Sequence, residues 1–341
     1  ANTDRQALAT SKARNRLVLG EELTGGLGAG GEPSVGKAAA EASIEDIRAI
    51  VKGANMVFIA AGMGGGTGTG AAPVVARIAR EEGALTVAIV TRPFSFEGKK
   101  RIANSVEGLN ELKEAVDSII IVSNDKLLMV SGTQPISEAF SESDRVLAQS
   151  VKTVTDLILM PAVINLDYAD VKNTLKDSGI ALIGFGMGSG PNKAMEAAQN
   201  AISSPLLEAS INGARRAICA VTCGSKVSLY EAQETVDRII EAAGNTLDIK
   251  FGVSINNQLT DQILVSVIAS DFTDDFDFTV VPTYEKSPIL NHDASESEDD
   301  IVSNDGIIQS TETPVYDEKP VEEQSTEDDF LPSFLRGKHI D

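Results

Sequence analysis

Apolar residues fall in short uninterrupted runs along the first part of the chain: Met56-Val57-Phe58-Ile59-Ala60-Ala61, Leu85-Thr86-Val87-Ala88-Ile89-Val90 and Ser118-Ile119-Ile120-Ile121-Val122. Such runs, without polar alternation, predict strands covered on both faces, as in a parallel sheet. Helical patterns separate them, so Ala1 to about Gly132 is predicted to form a parallel α/β unit. From Ser137 to about Leu159 the period changes to that of one long helix, with Phe140, Leu147, Val151, Val154 and Ile158 on one face and Pro161 as its stop. Val163 to Phe272 reads as a second, α+β unit, with strands at 180–185, 216–222 and 263–269 and helices at 191–202 and 229–243. The implied domains are 1–136, a central helix at 137–162, and 163–272.

Beyond Phe272 the pattern is lost. Residues 273–326 are rich in Asp, Glu, Ser and Thr and bury too little apolar surface to offset ordering, so a disordered, self-repelling linker is expected. Phe276, Phe278, Val280 and Val281 could add a last edge strand. Hydrophobic character returns in 327–341, where Phe330 and Phe334, like Leu331 and Leu335, lie four apart, as in a short segment that folds in a partner's groove.

Each of the three apolar runs ends at a loop with its own chemistry. After the first come Gly64-Gly65-Gly66-Thr67-Gly68-Thr69-Gly70, and then a helix expected to begin near Ala71. Glycines let the backbone approach an anion and offer it N–H groups, and a helix start adds partial positive charge. This predicts a phosphate-holding loop. It is not a Walker A loop, because no Lys follows, and Gly64-x-Gly66-x-x-Thr69 lacks the third glycine of the dinucleotide fingerprint. Ligands of such sheets bind beyond the carboxyl ends of the strands, so the heptad, residues 91–98 and Ser123-Asn124-Asp125-Lys126 are expected around one pocket. Gly28-Ala29-Gly30-Gly31 fits a second anion loop or simply a turn leading into a helix at Pro33; the pattern leaves both open.

Other pairs carry two readings each. Phe140 and Asp144 share a helix face, where a ring can stack on a base and a carboxylate can accept from guanine N1 and N2; core packing and a solvated Asp are the alternative. Glu97 and Arg101, four apart, can be an exposed ion pair. Asp167 and Asp170, three apart, can orient a water or assist a cation, or can favour a helix N-terminus through its dipole.

The heptad resembles the signature of the tubulin/FtsZ GTPases. Asn2-Thr3-Asp4, Thr91-Arg92-Pro93-Phe94, Phe96-Glu97-Gly98-Lys99-Lys100-Arg101 and Asn165-Leu166-Asp167-Tyr168-Ala169-Asp170 narrow the likeness to FtsZ, the bacterial and plastid division GTPases. The resemblance implies a Rossmann-like GTP-binding domain, a central helix and an α+β domain. It assigns Asn2, Ala29, Gly30, Gly31, Gly64 to Gly70, Thr91, Pro93, Glu97, Arg101, Asn124, Phe140 and Asp144 to GTP or GDP, with Glu97 toward the ribose and Gly28–Gly31 near the γ-phosphate. It gives catalysis, with Mg²⁺ on the phosphates, to Asp167 and Asp170, fixed by Asn165 and inserted into the next subunit's site, so that head-to-tail contacts build filaments. It makes Phe330, Leu331, Pro332, Phe334, Leu335 and Arg336 the docking peptide for membrane-tethering and regulatory division proteins. The implied location is the cytoplasm, at the midcell division ring. It also implies a first strand and first glycine loop before Ala1. A chain without them could polymerise as a scaffold yet hydrolyse little.

Charge and cysteines narrow the classes further. The net charge of −21 is concentrated in residues 273–341, which carry 19 acidic and 4 basic residues. No basic stripe exists for nucleic acid. Cys219 and Cys223 are too few for a disulfide framework and read as packed thiols in a reducing compartment. A nicotinamide-dependent dehydrogenase is disfavoured, since His292 and His339, the two histidines, both lie in the tail. No apolar run is long enough to span a membrane.

Overall fold

The structure is a computed structural model that describes residues 1–272 except 132–135, 205–206, 208–209 and 245–246, and the side chains of 129–131 and 136–137 are not described. The expected edge strand at 276–281, the linker and the peptide Phe330–Arg336 lie outside the described residues.

In chain order the elements are α1 (Arg5–Ala9), α2 (Glu21–Thr24), α3 (Pro33–Glu41), α4 (Ile44–Val51), β1 (Met56–Gly62), α5 (Thr67–Glu81), β2 (Leu85–Arg92), α6 (Lys99–Ala115), β3 (Ser118–Ser123) and α7 (Asn124–Ser131). There follow α8 (Ile136–Leu159), α9 (Tyr168–Leu175), β4 (Gly179–Ser189), α10 (Lys193–Ile202), β5 (Ala214–Cys223), α11 (Leu229–Ala242), β6 (Asp248–Ile255) and β7 (Gln262–Phe272). The described strands form one sheet in the order β1-β2-β3-β4-β7-β5-β6. β1, β2 and β3 run parallel, as their apolar runs predict. The other half is mixed: β7 is antiparallel to both β4 and β5, and β6 is parallel to β5. Between the halves, β3 and β4 pair in parallel at only three positions, Ser118–Gly179 to Ile120–Ala181.

Alternation along β2 divides the core. Ala88 and Val90 face α5 and α6, packing with Ala72, Ala76, Leu109 and Leu112. Leu85, Val87 and Ile89 face the other way, into a cluster that holds Val146 and Val154 of α8, Val171 and Leu175 of α9, and Phe185, Ile218 and Ile268 from the far half. The central helix thus lies across both halves of the sheet. Its predicted apolar stripe is present at Leu147, Val151, Val154 and Ile158, but Phe140 departs from it and is 43% exposed.

α10 sits unusually close to β4. A Cβ at Gly186 would lie 2.1 Å from Ala197 O, and one at Gly188 2.0 Å from Lys193 O, so the strand's glycines and the helix's alanines form one fitted surface. The start of α10 is tied down by Lys193, whose Nζ lies 2.6 Å from Glu231 Oε1 and 3.0 Å from Asp261 Oδ1. Glu231 also completes a capping box with Ser228 at the start of α11. Cys219 and Cys223 are buried beneath these helices, and burial pushes their thiols up to about 12 and about 11, as inert packed side chains require.

Lys193 and the Ser228 bonds hold the Glu231 carboxyl down to about 2, against an ordinary 4.5. A carboxyl depressed by folding contributes stability above its unfolded pKa, and that contribution is lost as the pH falls toward the folded value. Thermal unfolding followed by circular dichroism between pH 6 and 3 is expected to show a falling midpoint. Lys193→Met is expected to lower the midpoint at pH 6 and to flatten this dependence.

Candidate functional site

The site begins with two helices that touch backbone to backbone. A Cβ at Gly70 would lie 1.9 Å from Pro33 O, and one at Gly36 would lie 2.2 Å from Gly66 O. Side chains at either position would force α3 and α5 apart, and overpacking of this kind costs about 1–3 kcal/mol. The contact brings the Ala29-Gly30-Gly31 turn against the heptad. The turn leads into α3, with Pro33 at the first helical position, and its backbone lies beside the heptad. Asn104 of α6 bridges them, with its Nδ2 3.4 Å from both Gly31 O and Gly64 O. Thr3 and Thr67 share a hydroxyl hydrogen bond of 2.6 Å, which draws in the segment that carries Asn2.

The helix after β1 starts earlier than its expected beginning near Ala71. Thr67 to Gly70 already form the first turn of α5, and only Gly64, at φ +101°, needs the left-handed region. Gly68 and Gly70 serve close packing, since a Cβ at Gly68 would meet Gly62 O at 2.4 Å. The Thr69 hydroxyl accepts the Gly64 N–H at 2.8 Å and closes the loop on itself. By their position, the N–H groups of Thr67, Gly68 and Thr69 lack intrahelical acceptors, the first such bond being Gly70 N–H to Gly66 O at 3.0 Å, and this is the ready-made anion site of a helix start. Glu32, which could repel an anion here, pairs with Lys100.

The second wall comes from the loop after β2. Thr91 and Pro93 are buried, and Pro93 abuts the heptad: a Cβ at Gly64 would sit 3.2 Å from its Cγ. Phe94 is fully buried, stacked on Phe96 and edge-on to Phe140, each at 5.0 Å between centroids. Glu97 accepts the Phe94 N–H at 3.0 Å and pairs with Arg101. Glu97 lies in a short 3-10 turn at Ser95–Glu97 and Arg101 in the first turn of α6, so this pair fixes a loop to a helix.

The third wall joins β3 to α8. Asn124 opens α7, is nearly buried, and accepts the Ser143 hydroxyl at 2.8 Å on its Oδ1. One turn beyond the exposed Phe140 ring stands Asp144, whose carboxyl is raised by the desolvation of its surroundings. An exposed ring and a carboxylate thus follow each other along α8, and Ser143 between them ties the helix to Asn124.

Asn165, Asp167 and Asp170 stand elsewhere. Asn165 Oδ1 accepts the Ala162 N–H at 2.8 Å and folds the loop. Asp167 caps α9 by accepting the Asp170 N–H at 2.9 Å, and Asp170 accepts the Asp167 N–H at 3.4 Å. The dipole reading therefore holds, yet Asp167 stays exposed and each carboxylate keeps lone pairs for a further partner. Tyr168 pins this loop by donating to Asn55 O at 2.5 Å, just before β1. Asn55 and the heptad lie at opposite ends of β1, a strand of seven residues and so roughly 20 Å long. Within one chain the two aspartates cannot reach the phosphate loop. Leu159, Met160 and Val163, all more than half exposed, flank the acidic loop.

Residues 1–132 match the model of the tubulin/FtsZ family GTPase domain, and 179–273 that of the FtsZ family C-terminal domain. A solved FtsZ dimer of M. jannaschii is 40% identical, over 81% of this chain and 80% of that one, with a TM-score of 0.77. The chain belongs to the FtsZ family of tubulin-like GTPases. Two Haloferax volcanii structures share the fold: CetZ1, at 20% identity over 80% of this chain and 84% of that one (TM-score 0.68), and CetZ2, at 21% over 79% and 81% (TM-score 0.64). Guanine nucleotide binding and GTPase chemistry come with FtsZ family membership, and with them a role in cell division. Among the described residues no helix is long and apolar enough to cross a membrane.

The sequence assigns no individual role to four residues that tie the walls together: Thr3, Asn104, Asp125 and Ser143. Thr3 and Asp125 lie inside the Asn2-Thr3-Asp4 and Ser123-to-Lys126 motifs, and Ser143 stands beside Asp144. Asn104 had only its place one turn beyond Arg101 as a signal.

Guanine donors would favour the Asp144 carboxylate, whereas desolvation by the protein raises its pKa above the ordinary value. GDP affinity measured by calorimetry is therefore expected to fall on acidification, with a midpoint above the ordinary 3.8. Asp144→Asn is expected to weaken GDP binding and remove this pH dependence. Because a raised carboxyl pKa costs stability once the pH exceeds it, the same variant is expected to melt slightly higher at pH 7.

Proposed function

We propose that this FtsZ family chain binds GTP in the pocket between the heptad, the 91–98 loop and the start of α8, and hydrolyses it only when assembled head to tail. The observation that carries this reading is the placement of Asp167 and Asp170 at the opposite end of β1 from the heptad, on an exposed loop. Two half-sites at opposite ends of one molecule complete each other only between molecules, and a heterologous contact of that kind propagates into a filament. The apolar residues on both ends support it: Leu159, Met160 and Val163 around the acidic loop, and Leu23 and Leu27 near the glycine turn. The similar M. jannaschii FtsZ is described as a dimer.

In this reading the helix start and glycine turns hold the phosphates, Phe140, Asp144 and Asn124 recognise guanine, Glu97 meets the ribose, and Arg101 meets the ribose or a phosphate. Asn2 completes the rim. Asp167 and Asp170 of the next subunit position the attacking water, with Asn165 shaping their loop. Among the described residues no three metal-ligating side chains cluster, so a Mg²⁺ ion would take its oxygens from the phosphates and water, as that ion commonly does. Bound there, it would neutralise phosphate charge. The functional units are then 1–136 for nucleotide, 137–162 as connector, 163–272 for the catalytic loop, 273–326 as spacer and 327–341 as the peptide for tethering and regulatory partners. Filaments so anchored would form the division ring at midcell.

GTP hydrolysis measured against protein concentration is expected to show a threshold, with specific activity rising above it. Asp167→Ala or Asp170→Ala is expected to keep GTP binding and lower turnover by about 100-fold or more; lost binding in either variant would refute the in-trans role. Filaments without hydrolysis at any concentration would favour the scaffold reading. Deleting residues 328–341 is expected to spare assembly and hydrolysis while abolishing capture by a membrane-tethering division protein, read by co-sedimentation. Unchanged capture would refute the peptide's role.

A further inference from the structure

Asp125 is nearly buried, 7% exposed, at the second position of α7, and both its oxygens are spent on one residue of another loop. Oδ1 accepts the Ser95 N–H at 2.9 Å, and Oδ2 accepts the Ser95 hydroxyl. Ser95 lies between the two residues that shape the nucleotide wall. On one side Phe94 buttresses the exposed Phe140 ring edge-on, and on the other Glu97 holds Arg101. The turn is closed on itself by two bonds between the same pair, the Phe94 N–H to Glu97 Oε1 and the Glu97 N–H to Phe94 O, each 3.0 Å. A two-point, charge-assisted bond from the start of α7, just beyond β3, therefore ties the turn to the sheet in addition to the packing of Pro93 and Phe94. The neighbours of Asp125 reach elsewhere: Asn124 toward the base wall, and Lys126 to Leu207 O at 2.7 Å in the second half of the molecule.

We propose that Asp125 is a positioning residue for the nucleotide. Through Ser95 it sets the height of the turn, so that Glu97 meets the ribose hydroxyls and Phe94 supports the base-stacking ring. It touches no part of the nucleotide. The proposal rests on the reading of Glu97 as the ribose contact. Its signature is loss of ribose discrimination, since a turn that floats can still contact a nucleotide but no longer presents a carboxylate at a fixed place.

The test is calorimetric binding of GDP, 2′-deoxy-GDP and 3′-deoxy-GDP to the full chain below its assembly threshold. The unmodified protein is expected to prefer GDP by about 10-fold or more over at least one analogue, the worth of one hydrogen bond to a charged group. Asp125→Ala is expected to bring that preference close to one and to weaken GDP by about 10-fold. Asp125→Asn is expected to keep it, because its Oδ1 still accepts the Ser95 N–H and the hydroxyl can turn to accept from Nδ2. Ser95→Ala, which removes one bond and leaves α7 intact, is expected to shift the preference the same way by about 3-fold, and it decides the matter if Asp125→Ala does not fold. Glu97→Gln separates the two readings. If it abolishes discrimination while Asp125→Ala and Ser95→Ala leave it unchanged, the positioning role is overturned. If Glu97→Gln also leaves discrimination unchanged, the ribose contact itself is wrong.

Discussion

The backbone contact between α3 and α5 is the constraint on which the rest of the site depends. Two helices can meet through their peptide groups only where side chains are missing, and Gly36, Gly66 and Gly70 supply that gap. Once the helices touch, the Gly30-Gly31 turn and the heptad have nowhere to go but beside each other. The Asn104 bridge and the Thr3–Thr67 hydrogen bond then add polar ties across a junction that packing has already made. Several glycines of the signature are thus there for helix packing, and the place of the first N–H groups of α5 follows from the resulting geometry.

At the other end of the sheet the same economy is visible in the acidic loop. Asp167 and Asp170 cap a helix and yet keep oxygens toward solvent, so their structural duty fixes the direction in which they point. A loop that served only as a cap would gain little from the tie between Tyr168 and Asn55. That tie locks the carboxylates to the base of β1, the strand whose other end runs into the heptad. In the proposed filament, the two half-sites are therefore aligned by one strand.

The buried strands were legible in the sequence because parallel strands covered on both faces leave an unmistakable apolar run, as at Ile119 to Val122. β6 escaped notice: Lys250 and Gly252 interrupt Asp248–Ile255, and it is needed as a strand only because β5 offers it an edge. Gly252 has its own tertiary reason, since a Cβ there would lie 2.8 Å from Leu157 Cδ2 of α8. The start of α5 was misplaced because Gly-Thr-Gly-Thr is a poor helix former by propensity, and only packing against α3 makes it helical. The loops that meet beside the heptad were legible through motifs, whereas the hydrogen bonds made by Asp125 and Ser143 were not. Their partners, Ser95 and Asn124, are far away in sequence, and no local spacing encodes a hydrogen bond across loops.

The three-rung ladder between β3 and β4 has a mechanical meaning. The strands on either side are stitched far more extensively, with six register pairs from β2 to β3 and nine from β4 to β7. A molecule pulled from its two ends would carry the load through this narrow waist and through the apolar seam of α8. Hydrogen-bonded rungs break one at a time, whereas a greased helix face can slide without a discrete rupture. The protein is built less like a single slab than like two plates joined by a short ladder, by a few ties such as Lys126 to Leu207 O, and by the common rod of α8, so that the ladder is the narrowest part of the sheet under tension.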